Sequence, residues 1–571
     1  MKCHPAERVA EYRAKGCWTE ETVDGLLRAQ IARRPHAPAI VDPPNKKDLL
    51  GLSPFRLTWA ELDERVDRLA AVLGAYGVRQ GDVVAVQLPN SVEIVEASLA
   101  IIRLGAIVTP FPVQYREYEL IQLGRLAKVT AFVTATRIGD RANAEAVRAL
   151  RAEIPTLRTV LAVGPGAPEG VVALDEVLER PYNAAALRAY LDGLAVDPND
   201  CVTICWTSGT EDTPKGVPRC SYDWLAICWA CVDAPRLTEN DVLLNPFPMA
   251  NMAGIAGMFL PWLRVGCVLA QHHPFDLPTF LAQVAEERVT YTVAPPALLS
   301  MLLAREDILG RADISSLRLI GSGSMPLSPA MVAGWQERHG IGIINFFGSN
   351  EGVALLSDPV NIPDPAERAR YFPRYGAEGI RWASRIADWM SVRLVDPTSG
   401  EEIAEPGRPG ELAIKGPTLF AGYLAGTGAA EPFDADGYLR TGDVFEIAGD
   451  RAQYLRYVDR AKDLIIRGGM NIAPAEVEGL LSGHPRIAEC AVVGYPDEVL
   501  GERCCLFAVP TPEASLGLDE VVAYLREQRI APYKLPERLE IVDALPRNPL
   551  GKVVKHELRD RLAPGGSPSR S

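Results

Sequence analysis

Cys205-Trp206-Thr207-Ser208-Gly209-Thr210-Glu211-Asp212-Thr213-Pro214-Lys215-Gly216 follows a mostly apolar run, Val202 to Trp206, that reads as a buried strand. Between Thr207 and Gly216 stand four hydroxyls, two glycines and one lysine. Glycines let backbone N–H groups approach an anion, hydroxyls donate to phosphate oxygens, and the lysine adds a compact charge. Such a loop suits a polyphosphate. It lacks the Gly-Lys-Ser/Thr ending of the Walker pattern, because Lys215 follows a proline and precedes a glycine, so Walker-type γ-phosphoryl transfer is not indicated. By itself, a loop of this composition reads first as an ordinary surface loop.

Outward from it the chain alternates strands and helices. Residues 1–57 read as a helical lead-in and a polar loop. Thr58 and Glu61 form a capping-box pattern. The helix behind them carries Leu62, Val66, Leu69, Leu73 and Tyr76 on one stripe, with Gly77 and Gly81 ending it. Val83–Leu88, Ile107–Thr109, Thr130–Thr134 and Arg158–Val163 read as strands before the loop. Val265–Ala270, Val289–Val293, Leu317–Ile320 and Ile341–Phe347 follow it. Continuous apolar strands between helices imply parallel sheets covered on both faces. Ligands bind beyond the carboxyl ends of such strands. The loops Ala294-Pro295-Pro296, Gly321–Ser324 and Gly348–Glu351 are therefore expected to converge on one cleft. From about Ser384 short strands alternate with Gly/Pro turns, a small β-rich subdomain. A boundary is expected near 458–463, with a compact α+β unit beyond it in which Pro474 suits a helix start. The Gly/Ser/Pro-rich end reads as disordered.

At 571 residues the chain is long enough for several domains of about 150 residues each. Its formal charge of −14 argues against nucleic acid or an anionic membrane as the main partner. The uncharged run Val242–Leu263 is broken by three prolines, two asparagines and two glycines, so it is not read as a membrane span. No signal peptide is visible. Eleven cysteines without a framework fit a reducing cytoplasm, and Cys228-x-x-Cys231 reads as part of a helical core stripe.

Four more clusters carry chemistry. Asn345–Glu351 ends a strand with one carboxylate, a candidate Mg²⁺ ligand. Tyr438–Asp443 puts an aspartate on a tight turn, suited to ribose hydroxyls. Asp459–Asp463 is a dense charge run, and Leu545–Lys552 sets a lysine on a Gly/Pro loop. In this order, and with the phosphate loop, they resemble the motifs of the AMP-forming adenylating enzymes: acyl-CoA synthetases, carrier-loading adenylation domains and luciferases. Phe347-Gly348-Ser349-Asn350-Glu351 is similar to the aromatic-Gly-x-Thr-Glu motif and Thr441-Gly442-Asp443 to Thr-Gly-Asp. Arg460 through Ile472 is similar to the hinge and following loop, and Gly551-Lys552 to the catalytic-lysine motif. The resemblance runs from about residue 20 to 557.

The resemblance implies an α/β fold. It comprises a large N-terminal domain (1–458) of two doubly wound sheets plus a small β-barrel-like subdomain, a hinge (459–463), a mobile α+β lid domain (464–557) and a disordered tail (558–571). It implies two steps: a carboxylate attacks the α-phosphate of Mg·ATP, and a thiol then attacks the acyl-adenylate. By analogy Thr207, Ser208, Gly209, Thr210, Lys215 and Asn350 hold phosphates, Glu351 binds magnesium, and Asp443 and Arg460 hold the ribose. Lys552 bridges the carboxylate and the α-phosphate, Lys462 is the pivot, and Gly468 and Gly469 line the CoA tunnel. The acyl pocket is expected from Asn251, Gly254, Ser322, Gly323, Ser324, Phe347 and Gly348, with the 224–231 helix. These small and mixed residues suit a compact ring acid. Tyr12–Trp18 also resembles the opening of aryl-acid ligases. CoA is the expected acceptor, a carrier protein the alternative, and a non-catalytic ligand-binding member a second alternative; a monomer and a dimer are equally expected. The chain departs from the family pattern at Glu211-Asp212, at Asn350 for threonine and at Asn251 for histidine. The carboxylates repel a polyphosphate unless turned away, and asparagine cannot titrate near neutral pH.

Overall fold

The structure is a computed structural model that describes residues 1–207, 214–397, 399–426, 431–467, 470–497, 499–512, 514–528, 530–548 and 552–562. Among these, two large sheets form the body. One has seven strands in the order Val172–Ala173, Thr159–Val163, Ala131–Ala135, Val83–Val86, Ile107–Pro110, Cys201–Trp206 and Gly216–Cys220. All but the last pairing are parallel; Cys201–Trp206 and Gly216–Cys220 form an antiparallel hairpin around the phosphate loop. The other has eight strands, from Ala354–Ser357 through Gly342–Gly348, Leu319–Gly323, Tyr291–Val293, Val242–Asn245 and Val268–Gln271 to Pro38–Val41 and Arg56–Thr58. Helices Trp59–Ala75, Val92–Arg103 and Ser221–Asp233 belong to the core between the two sheets, where Trp59, Leu62, Leu99 and Trp224 are buried. Asn90 ties the sheets together, donating through Nδ2 to the carbonyls of Asn245 and Phe247.

Local signals explain many of these elements. The Thr58–Glu61 capping box forms and opens a helix whose Leu62, Val66, Leu69 and Leu73 are buried. Tyr76 departs from that stripe: it caps the helix C-terminus and stays exposed, because the chain turns at Gly77 with φ +92°. Residues 1–57 are more than helix and loop. Pro38–Val41 is an inner strand of the eight-stranded sheet, parallel to Val268–Gln271. It pairs on one side with the nearby Arg56–Thr58, antiparallel, and on the other with a strand over 200 residues away, so its place inside the sheet is set by tertiary pairing.

A six-stranded antiparallel sheet follows, ordered Tyr371–Pro373, Tyr454–Arg460, Leu439–Ala448, Gly410–Lys415, Ser391–Val395 and Glu402–Ile403. A five-stranded sheet begins at Ile465 and has its own cores around Val477, Leu506 and Val521 and around Phe507 and Leu558. Pro474 sits in the first turn of helix Pro474–Leu481, as expected. The last helix, Lys555–Leu562, runs past residue 557 and buries Leu558, so residues 558–562 are ordered rather than tail. Cys228 and Cys231 lie on the Ser221–Asp233 helix and pack in the core. Among the described residues no helix is long and apolar enough to cross a membrane.

Candidate functional site

The hairpin that carries the phosphate loop closes on itself at Thr207 and Lys215. The Thr207 N–H donates to the Lys215 carbonyl at 3.0 Å, and the Lys215 N–H donates to Thr207 Oγ1 at 3.0 Å. Thr207 therefore spends a lone pair on the neck of the loop. Ser208, Gly209, Thr210, Glu211 and Asp212 lie outside the described residues. Lys215 Nζ stands 5.3 Å from the centre of the Tyr423 ring, a cation–π distance. The Tyr423 hydroxyl donates to Glu351 Oε1 at 2.9 Å. Tyr423 arrives here because its segment runs along the hairpin: Leu424 N–H donates to the Gly216 carbonyl and Phe420 N–H to the Glu351 carbonyl. Sequence reasoning missed Tyr423; an aromatic in a Gly-rich stretch has no distinguishing spacing.

Asn350 joins three loops. Its Nδ2 donates to the Trp206 carbonyl at 3.0 Å, and its Oδ1 accepts from the Met252 N–H at 2.9 Å. Its own carbonyl accepts from Arg219, whose other amino group donates to the Thr418 carbonyl. Arg219 is fully buried and pairs with Asp223 at 3.0 Å. Arg219 stands at the end of a strand and Asp223 in the first turn of the next helix, so no helical spacing announces that pair.

The opposite wall comes from the six-stranded sheet and the C-terminal unit. Asp443 and Arg460 are direct cross-strand partners, and Arg460 Nε lies 3.1 Å from Asp443 Oδ1. Asp443 is not on the expected tight turn: it lies within the strand Leu439–Ala448, where Gly442 at φ +71° sits opposite a register shift between Glu411 and Ala413, and Thr441 Oγ1 accepts from the Asp443 N–H. Burial raises the Asp443 pKa against the pull of Arg460 and Lys552, and the Glu351 charge is felt there too. Lys552 sits in a loop closed by Asn548, whose Oδ1 accepts from the Lys552 N–H at 2.9 Å. The residue is exposed, yet protein crowds its ammonium on the cleft side. That desolvation, with repulsion from Arg460 and Lys462 opposed by Asp443 and Asp463, lowers its pKa to about 8. Lys462 is exposed and its carbonyl faces Arg559. Beside it Asp459 accepts from the Ala475 N–H at 2.8 Å, fastening the six-stranded sheet to the C-terminal unit. Burial raises the Asp459 pKa to about 6. Gly468 and Gly469 lie outside the described residues.

The acyl-pocket candidates divide. Asn251 caps the short helix Met252–Gly254, its Oδ1 accepting from Ala253 and Gly254. A side chain at Gly254 would meet the Pro248 carbonyl at 2.2 Å, so the chain passes too close for any Cβ. Gly323 is equally tight against the Phe346 carbonyl. Ser322 is 1% exposed and donates to the Ala294 carbonyl at 2.8 Å, so its hydroxyl is spent inside the strand layer. Ser324 is exposed with φ +69°. Phe347 meets Phe445 edge-on at 4.9 Å and lies 6.0 Å from Tyr457, facing the six-stranded sheet. Gly348 is exposed next to it, and Phe346, not Phe347, covers Gly321. Trp224, Ile227 and Cys228 of the following helix are buried in the core.

The AMP-binding enzyme family model matches residues 27–424, and the AMP-binding enzyme C-terminal domain model matches residues 476–552. The chain is 32% identical over 568 residues to pyochelin synthase PchD of Pseudomonas aeruginosa, covering 98% of this chain and 95% of that protein. It is 33% identical to indoleacetate–CoA ligase of Aromatoleum aromaticum, with 89% and 93% covered. In fold it matches the anthranilate CoA ligase AuaEII, solved with anthranoyl-AMP, with a TM-score of 0.79 at 21% identity, covering 95% and 97%. The chain belongs to the AMP-binding enzyme family, the superfamily of AMP-forming adenylating ligases.

Proposed function

We propose that the chain activates a ring carboxylic acid, aromatic or alicyclic, as its acyl-adenylate and transfers the acyl group to CoA. One observation carries the reading. Lys215, Tyr423 and Glu351 stand together on one wall, and Asp443 and Arg460 on the other feel the Glu351 charge, with Lys552 beside Asp443 and Arg460. In the first step a carboxylate oxygen bonds to the α-phosphorus, and the bond to the β-phosphate breaks with its electrons leaving on pyrophosphate. Lys215 and the phosphate loop hold the departing phosphates. Asp443 accepts from ribose hydroxyls, with Arg460 fixing its carboxylate. Lys552 donates to the attacking carboxylate and the α-phosphate oxygens as charge shifts, a preorganised electrostatic contribution.

Glu351 fits a magnesium ion: Tyr423 engages Oε1 and leaves the other oxygen for a cation that also takes phosphate ligands. Magnesium, when bound, neutralises charge on the phosphates. The C-terminal residues 464–557 then swing about Lys462, and a CoA thiol sulfur attacks the acyl carbonyl as AMP leaves. The free Nδ2 of Asn251 offers a compact ring acid a hydrogen-bond donor, whereas Gly254, Gly321 and Gly323 are small because neighbouring protein presses on them. The relatives that act on indoleacetate and anthranilate are in keeping with that choice. The test is product identity by mass spectrometry after incubation with ATP, Mg²⁺, CoA and benzoates, hydroxybenzoates, naphthoates, cyclohexane carboxylates or medium-chain fatty acids. A ring-acyl-CoA is the expected product. Adenylate that accumulates without thioester points to a carrier-protein thiol, and preference for a fatty acid contradicts the ring assignment.

A further inference from the structure

Between the strand Gly410–Lys415 and Tyr423 the chain makes a turn, Gly416–Phe420, whose five residues are all buried. Buried carbonyls outside a strand ladder need other donors. Here each one has a side chain. Arg8 Nη2 donates to the Gly416 carbonyl at 3.2 Å and to the Leu419 carbonyl at 3.0 Å, and Arg8 Nη1 donates to the Phe420 carbonyl at 3.2 Å. Trp18 Nε1 donates to the Pro417 carbonyl at 3.1 Å, and Arg219 donates to the Thr418 carbonyl. Four of the five carbonyls are thus held from the N-terminal segment.

That segment is itself anchored. Arg8 lies on the helix Ala6–Ala14. Just before the helix, the Cys3 N–H donates to the Asn199 carbonyl and the His4 N–H to Asn199 Oδ1, at the base of the phosphate-loop hairpin. The Arg8 guanidinium stands 5.7 Å from the ring centres of both Tyr12 and Phe433. Trp18 is buried and stacks on Tyr222 at 4.8 Å. A flat guanidinium offers five N–H donors in a fixed fork, so one side chain can hold three carbonyls at once.

On its far side the turn lies against Glu351. Thr418 Oγ1 donates to the Gly352 carbonyl at 2.8 Å, and a side chain at Gly352 would meet the Thr418 carbonyl at 2.0 Å. The Phe420 N–H donates to the Glu351 carbonyl at 2.9 Å. The Phe420 ring meets the Tyr423 ring edge-on at 4.9 Å, and the Tyr423 hydroxyl holds Glu351 Oε1. Both the backbone and the carboxylate of Glu351 therefore depend on where Phe420 sits.

We propose that Arg8, together with Trp18, is a positioning residue for the Glu351–Tyr423 pair. The inference rests on the reading of Glu351 as a magnesium ligand. Arg8 reaches Glu351 through Phe420 and not directly. Without Arg8 three buried carbonyls lose a charged donor, the turn relaxes, and the carboxylate loses its fixed place. The effect falls on the cation and its nucleotide, not on the acid.

The test compares the full chain with Arg8→Met, with Arg8→Lys, which keeps donors for the same carbonyls, and with Arg13→Met. Arg13 is on the same helix but pairs with Glu20 at the surface, so its variant is the control. Hydrogen exchange read by mass spectrometry is expected to speed up in Arg8→Met at the Phe420 and Leu424 amides, which bond to the Glu351 and Gly216 carbonyls. Mn²⁺ binding in the presence of a non-hydrolysable ATP analogue, followed by electron paramagnetic resonance, is expected to weaken about tenfold in Arg8→Met. Arg8→Lys is expected to lie between, and Arg13→Met to match the parent. In pyrophosphate exchange KM for Mg·ATP is expected to rise by the same factor, with KM for the acid unchanged. Faster hydrogen exchange with unchanged Mn²⁺ affinity overturns the proposal and leaves Arg8 a purely structural clamp. Unchanged exchange at both amides overturns the clamp itself. Parent protein that binds no Mn²⁺ with the nucleotide overturns the cation reading of Glu351 and this inference with it, a result seen before any variant is made.

Discussion

On the wall built by the hairpin, Asn350 and Tyr423, the polar side chains are spent on neighbours: Asn350 on Trp206 and Met252, Thr207 on Lys215, Tyr423 on Glu351. On the facing wall, Lys552 is exposed and is held mainly through its backbone by Asn548. The first wall is wired into the core of the two large sheets through Arg219. The second is fastened to the six-stranded sheet by single contacts such as Asp459 to Ala475. Under the proposed reaction, the first wall holds the nucleotide and the second brings the charge-stabilising Lys552. The two steps of the proposed reaction require that division.

The sharpest way to break the comparison is to remove the movable charge. Lys552→Ala is expected to slow adenylation by on the order of 10²–10³-fold. Thioester formation from preformed adenylate is expected to stay near the normal rate, and the denaturation midpoint to shift by no more than about 0.5 kcal/mol, as for an exposed residue. Rapid-quench assays of the separate half-reactions check the first two, and equal losses in both would sink the two-position picture. Asn350→Ala tests the rigid wall with the opposite signature. It orphans the Met252 N–H and the Trp206 carbonyl, so urea denaturation is expected to show a loss of about 1–3 kcal/mol. An unchanged midpoint would mean these bonds do not hold the loops.

How far the sequence showed this division varies by residue. The strand–helix alternation and the Thr58 capping box were legible because each rests on local spacing; the place of Asp443 was not, because its motif reads as a turn and only the pairing with Arg460 makes it part of a strand. Nor was Pro38–Val41, because so short a run carries little periodicity and its inner place depends on pairing with both Arg56–Thr58 and the distant Val268–Gln271. The facing of Phe347 was hidden for a related reason: adjacent strand residues point to opposite faces, and nothing local says which face meets the six-stranded sheet. Ser322 looked available for substrate, but its hydroxyl is spent on the Ala294 carbonyl, and Asn251 spends its Oδ1 on Ala253 and Gly254 and keeps only Nδ2. Arg219 and Tyr423 gain their partners only through loops brought together by the fold.

Smaller effects sharpen the comparison further. Tyr423→Phe removes the donor to Glu351 and is expected to raise KM for Mg·ATP about tenfold, the equivalent of one hydrogen bond to a charged group. An unchanged KM in steady-state titration would separate Tyr423 from the cation site. The pH profile of pyrophosphate exchange reads Lys552 itself. Its pKa of about 8 is below the ordinary 10.5, so it is charged at lower pH and loses charge as pH rises through 8. The kcat/KM for ATP is therefore expected to halve near pH 8 and keep falling, while kcat falls only at higher pH because bound phosphates favour the ammonium. Lys552→Arg is expected to remove that limb whatever its remaining activity; a limb that persists belongs to another group.

The central claim is that this cleft joins an acid to AMP before any thiol enters. ATP–pyrophosphate exchange by the full-length chain, with Mg²⁺ and the ring-acid panel but no CoA, tests it most directly. The account expects exchange that depends on a ring acid and is nearly lost in Lys552→Ala. No acid-dependent exchange, in protein shown to be folded, would contradict it and leave a member of the family that binds without activating.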